Sequence, residues 1–472
     1  MNNGSLGRGR PEGSDPARLK EVHDVIAKEV GVDVQPILAP GATADALQKL
    51  NLLLSSSGDR VDVFQGTWTD FQEVALPLDD LLNKYGQDIL KAWPAEAWAR
   101  MKDSKGRTMA IPRNGIVAPY PVWVRSDLLK KLNMPAPKTI DELEAYFKAV
   151  KAADPNAIPL IANLTGLRMA FAGAFTDHGY SNWVDPADGK LKPPELQPGY
   201  KDFVAKMADW YSKGYIYPDT LGTTDLNKLR EVLKTQKVGA NAAWYSVVTL
   251  GLPAVQQANP DIQMEATFVT GPKGKAETAD ATSASNAVVI NKKTPNPEAV
   301  IKFLNWEYAK PENHLTADRG IQGKDWEFVN NPDLLKGLPA DLKLVKTADY
   351  LKTGYVGEYS WSLGLPMETK YAVLTPDNKV TQHAQWLICC QADVSKAKLP
   401  ADAAVSYDQR QVRKDFAGLA DFQRLIEEES TKFITGTRPV GEWDKLADQM
   451  KQAGLDQWSQ AYTDQYKAAG GK

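Results

Sequence analysis

The sequence predicts an α/β protein of at least two domains, and three observations carry that expectation. The chain has 472 residues, more than one hydrophobic core ordinarily organises. Its first part alternates amphipathic helices with short apolar strands, the pattern of mainly parallel sheets flanked by helices. From Ser406 to Lys467 it reads as helical almost throughout.

The elements follow one another on ordinary grounds. Residues before Asp15 are polar and Gly-rich, a flexible lead. Leu19, Val22, Ile26 and Val30 recur at helical spacing over Ala17–Val30, and Gly31 stops the run. Val32–Leu38 reads as a strand, Ala44–Leu54 as a helix with Leu47, Leu50 and Leu54 on one face, and Val61–Phe64 as a buried strand. A helical segment begins at Pro77, and Lys105–Pro112 reads as a hairpin. Val122-Trp123-Val124 is a strand running into a helix opened by Ser126 and Asp127. Thr139 and Glu142 form a capping box for a helix over Ile140–Ala152, and Ile158–Ala162 is a short buried strand. Asp185–Lys190 has turn chemistry, Tyr200–Lys213 is amphipathic, and the strand from Val238 ends in Trp244-Tyr245. Ala287–Asn291 is again a strand, Pro297 opens the helix Glu298–Ala309, and Gly436 caps the helix that contains Ile426.

Composition excludes several classes. A formal net charge of -3 and a pI near 6.0 argue against nucleic acid, whose phosphates require clustered Lys and Arg. With 43% hydrophobic and 24% charged residues the chain is globular rather than disordered. No apolar run is long enough to cross a bilayer. The two cysteines, Cys389 and Cys390, are adjacent, which suits small buried apolar residues better than a disulfide or a metal site. His23, His178, His314 and His383 are scattered, and no metalloprotease, nucleophile-elbow or phosphate-loop motif is present. A polysaccharide-degrading enzyme, glycosidase or lyase, stays open as an alternative because the separation of a carboxylate pair is spatial, although nothing selects two of the 59 Asp and Glu.

Three sets of residues carry a resemblance. They are Lys105-Gly-Arg-Thr-Met-Ala-Ile-Pro112, then Val122-Trp-Val-Arg-Ser-Asp-Leu-Leu129 with Thr139-Ile-Asp-Glu-Leu143, and last Glu427–Gly436 followed by Trp443. In this order the chain resembles the extracellular solute-binding proteins of ABC importers, in their large carbohydrate-binding, cell-surface branch. The resemblance covers roughly residues 17 to 467. It implies a two-lobe, periplasmic-binding-protein-like fold of type II, with discontinuous lobes, a hinge and a helical C-terminal part. Residues 1–118 would start lobe 1, 119–284 lobe 2, 285–335 would return to lobe 1, and 336–472 would complete lobe 2. It implies an oligosaccharide ligand, with a peptide or charged solute as the alternative for the same fold, a membrane permease as partner, a monomer, no catalytic residues and no cofactor beyond a structural calcium in some relatives. It also implies export to the cell surface or periplasm, often with a lipid anchor, although the first residues hold neither an apolar export signal nor an anchoring Cys.

A sugar site needs flat apolar faces for pyranose C–H groups and planar hydrogen-bonding groups for hydroxyls. The 13 Trp outnumber the 12 Phe, so rings are available. Strand ends in an open α/β sheet single out Trp68 with Thr67 and Asp70, and Trp244 with Tyr245. Asn114 and Tyr120 lie on the connection between the lobes, Trp123 in the strand that follows, and Trp183 and Trp361 in polar, aromatic loops. For each Trp the competing role is the core. Arg113, Arg168 and Arg319 would suit a carboxylated sugar, or else serve as internal ion pairs. The turn Asp185-Pro-Ala-Asp188-Gly189 offers two carboxylates but not the spacing of a calcium loop.

Overall fold

The computed structural model describes residues 13–38, 43–56, 60–113, 120–276, 286–336, 338–348, 353–360, 365–375, 378–386, 400–402 and 405–471. The chain divides into two compact units, Met1–Ile116 with Thr282–Ile388, and Val117–Ala281 with Cys389–Lys472. Each unit is therefore built from two separate stretches of sequence. The return into the first unit runs to Ile388, whereas the sequence reading ended it at residue 335.

In chain order the described strands are β1 (Val63–Thr67), β2 (Ile111–Pro112), β3 (Val122–Arg125), β4 (Ile158–Ile161), β5 (Trp183–Asp185), β6 (Lys190–Lys192) and β7 (Val238–Asn241). They continue with β8 (Met264–Thr267), β9 (Thr270–Gly271), β10 (Gly274–Lys275), β11 (Asn286–Ile290), β12 (Trp326–Val329), β13 (Lys343–Thr347) and β14 (Tyr371–Leu374).

In the first unit, β11 lies between β1 and β2 and pairs antiparallel with both. Phe64 and Ile111 are wholly buried here, and β11 adds Ala287, Val288, Val289 and Ile290 to the same core. The helix Pro16–Val30 packs Val22 and Ile26 onto it. Asp15 caps that helix at one end, and Gly31, at φ 70°, closes the other. A second small sheet, in the order β12-β13-β14, stands beside these elements with its own apolar cluster around Leu344 and Ala372. The expected strand Val32–Leu38 does not form a ladder. Val34 and Ile37 still pack against the core, but no described strand lies alongside to hydrogen-bond the segment.

The second unit holds a sheet in the order β4-β7-β3-β8. Only β4 and β7 are parallel; β3 runs antiparallel to both its neighbours. Antiparallel pairings thus predominate, where the sequence suggested mainly parallel sheets. The parallel pair is the one joined by helices, which is what a parallel crossover needs. The capping box forms in part: Thr139 Oγ1 accepts from the Glu142 amide at 3.1 Å, while Glu142 turns back to the Lys138 amide at 2.6 Å. The C-terminal helices Leu419–Ile434, Asp444–Gln452 and Leu455–Ala468 complete this unit. Phe422, Phe433 and Trp458 join the same core as Leu143, Phe147 and Trp210.

That junction is secured by a buried charge. Arg168, 1% exposed, pairs with Glu427, donates to Ser430 Oγ at 2.9 Å, and lies 3.4 Å from the buried Glu195. Its guanidinium also sits 4.8 Å from the centre of the Tyr180 ring. Arg168 is therefore spent inside the fold, not held for a ligand.

Candidate functional site

The strand directions of the second unit bring three rings to one place. β4 and β7 are parallel and β3 opposes them, so the carboxyl ends of β4 and β7 coincide with the amino end of β3. Tyr120 enters β3 at that end, and Trp244 and Tyr245 leave β7 there. The Tyr120 and Trp244 centroids are 5.1 Å apart at 54°, and those of Trp244 and Tyr245 are 4.8 Å apart at 59°. All three are half-buried. Carboxyl ends of strands are where open α/β sheets receive ligands.

The loop that carries these rings is held tightly. The Val247 amide donates to the Trp244 carbonyl at 2.9 Å, and the Val248 and Thr249 amides both reach the Tyr245 carbonyl at 3.0 Å. The helix Ser246–Ala258 begins at once. Beneath the loop lies the helix Leu164–Phe171, capped by Asn163, whose Oδ1 accepts from the Gly166 amide at 2.8 Å. A Cβ on Gly166 would stand 2.0 Å from the Ala242 carbonyl oxygen and 2.9 Å from the Ala243 Cα. Only Gly permits this approach of helix to loop. Gly166→Ala is expected to lower stability by about 1–3 kcal/mol through overpacking and to displace the ring loop. Urea unfolding would register the first effect and weakened sugar binding the second.

The other expected residues fall differently. Trp68 is a correction: it is 2% exposed, sits in the core of the first unit, and its Nε1–H donates to the Arg100 carbonyl at 2.7 Å. The chain turns at once into a short 3-10 segment, Trp68–Phe71, which swings the indole inward. Trp123 is also corrected to an internal position. Val122 and Val124 point into the main core, and Trp123 alternates to the other face, where it is 0% exposed. Trp183, in β5, is buried as well. Thr67 and Asp70 are half-buried at the end of β1 and in the turn after it, and Arg113 is half-buried just past β2. Arg319 lies at the end of the helix Pro311–Arg319 with its Nε 2.8 Å from Asp318 Oδ2. Asn114, Trp361, Cys389 and Cys390 lie outside the described residues.

Two features bear on chemistry. His314, wholly buried, has Nδ1 3.1 Å from Glu307 Oε1 and Nε2 3.9 Å from Glu368 Oε1. Burial alone would pull the imidazole pKa down, but the Glu307 hydrogen bond and the negative charges of Glu307, Asp318 and Glu368 together outweigh it and hold it above the ordinary value. An imidazole with no exposed surface does not reach a substrate. The Asp185–Gly189 turn does not fit calcium: Asp188 Oδ2 holds Lys192 Nζ at 2.8 Å, and Asp188 Oδ1 and Asp185 Oδ1 accept backbone amides. The lysine already supplies the positive charge there.

Comparison with known proteins agrees with this architecture. The chain is 24% identical to the fructooligosaccharide ABC transporter substrate-binding protein FusA of Streptococcus pneumoniae, across 94% of this chain and 86% of that one. It is 24% identical to the polygalacturonan/rhamnogalacturonan-binding protein YtcQ of Bacillus subtilis, across 77% and 70% respectively. The crystal structure of the N-glycan transport solute-binding protein NgtS from Streptococcus pneumoniae superposes with a TM-score of 0.67 at 17% identity, covering 97% of both chains. The fold is therefore that of solute-binding proteins. The sequence profile of the bacterial extracellular solute-binding proteins matches residues 17–314, and the chain belongs to that family.

Proposed function

We propose that this protein is a non-enzymatic receptor that captures an oligosaccharide outside the cell membrane and passes it to the permease of an ABC importer. The observation that carries this reading is the half-buried trio Tyr120, Trp244 and Tyr245 at the sheet end of the second unit. Tilted rings at these separations offer apolar faces to the C–H surface of a sugar, with phenol hydroxyls beside them. FusA and YtcQ, each a sugar-binding protein, support the same ligand class. No helix among the described residues is long and apolar enough to cross a membrane, so the permease is a separate partner in this reading.

Trp244→Ala is expected to weaken oligosaccharide binding by about 1–3 kcal/mol, as loss of an aromatic anchor does. Isothermal calorimetry against the sugar found by a thermal-shift screen would measure it, since binding to the folded state raises the melting midpoint. The sugar should be recovered intact after prolonged incubation. Cleaved products from pure protein would favour a glycosidase or lyase instead.

A further inference from the structure

Next to the ring trio stands a guanidinium with no carboxylate to neutralise it. Arg230, on the helix Leu226–Lys234, donates from Nε to the Ser246 carbonyl at 3.2 Å and from Nη2 to Ser246 Oγ at 3.0 Å. Its Nη1 donates to Asn227 Oδ1 at 2.6 Å. All three acceptors are neutral, and Ser246 directly follows Tyr245. The acidic groups on the same helix are engaged elsewhere. Glu231 pairs with Lys234 at 2.7 Å, and Asp225 caps the helix by accepting from the Asn227 amide at 2.9 Å. Among the described residues no Asp or Glu oxygen lies within ion-pair distance of Arg230.

The physical state of the group agrees with this. Burial pulls the Arg230 pKa below the ordinary arginine value, opposed only by the field of Asp225. The cation has given up part of its hydration without gaining an anion. A guanidinium has five N–H donors, and the hydrogen bonds to Ser246 and Asn227 use one on Nε and one on each terminal nitrogen. One donor on each terminal nitrogen remains, available to a carboxylate or another planar anion.

We propose that Arg230 makes the ring site of the second unit selective for a negatively charged sugar, a uronic-acid oligosaccharide whose carboxylate it binds while a pyranose face lies on Trp244 and Tyr245. The inference rests on the proposed sugar-binding role of those rings. It moves the charge-recognising role from Arg113, Arg168 and Arg319 to a residue beside the rings.

The test uses two probes, trigalacturonate and its fully methyl-esterified form, which lacks the negative charges and carries a methyl group at each carboxyl, titrated into the whole protein. The wild type is expected to bind the acid tighter than the ester by about tenfold or more, in line with a charge-assisted pair. That preference should shrink as salt is raised. Arg230→Gln should bring the ratio close to one by weakening the acid far more than the ester, and an unaltered melting midpoint would show that the variant is folded. If Arg230→Gln unfolds, Arg230→Lys serves in its place, expected to keep part of the preference because the charge stays and the fork is lost. A wild type that prefers the ester, or a folded Arg230→Gln that keeps the full preference, would overturn the proposal. Binding of neutral fructooligosaccharides but of neither probe would overturn it and leave the receptor reading intact. Failure of every sugar to bind would remove both.

Discussion

Arg168→Met is expected to cost the second unit about 3–5 kcal/mol, the penalty for stranding one partner of a buried ion pair. Arg168 is 1% exposed and so is the Glu195 side chain, whereas Glu427 is 53% exposed and can turn to water. The loss therefore falls on Glu195. Burial already raises its pKa, against the pull of Arg168, and removing the arginine removes the opposing influence. The sign of the pH dependence follows. A carboxyl with a raised folded-state pKa binds its proton more tightly when folded, so the variant should regain stability as pH falls toward that value. Urea midpoints for Arg168→Met measured near pH 7 and near pH 5 should converge on the wild type at the lower pH. The second-site change Glu195→Gln should restore part of the loss at the higher pH. A variant with wild-type stability at both would mean that this cluster does not hold the C-terminal helices to the unit.

Trp68→Ala is the other large effect, and it separates fold from site. The indole fills the core of the first unit and its N–H satisfies the Arg100 carbonyl, so truncation should cost about 3–5 kcal/mol. Sugar affinity, measured where the variant is still folded, should stay at the wild-type value. A variant that kept its stability and lost its ligand would return Trp68 to the binding surface and displace the trio from its role.

These two residues mark what was legible in the sequence. Trp68 and Trp244 share a signature, an aromatic residue just past a buried strand, and the signature does not say which way the chain turns next. After β1 the backbone enters a 3-10 turn that carries the indole inward. After β7 it runs into the helix Ser246–Ala258, and Trp244 stays half-exposed. Trp123 was undecidable for a related reason, since both faces of its strand are covered. Helices with good local signals were readable almost to the residue. Gly31 ends one at φ 70°, and Thr139 opens another with its side-chain cap. The strand at Val32–Leu38 was not, because a ladder depends on a neighbour that sequence does not name. Arg230 gave no signal at all. It is 16 residues from Ser246 in sequence, and only the packing of two helices brings them together. The family was legible because its motifs recur in order along the whole chain, which does not depend on any single residue.

The most direct measurement is a crystal structure of the protein bound to the oligosaccharide that melts it highest in a screen. A pyranose ring should lie against Trp244 at about 4 Å, with Tyr120 or Tyr245 in contact with the same sugar. A sugar seated elsewhere, with all three rings free of it, would contradict the account.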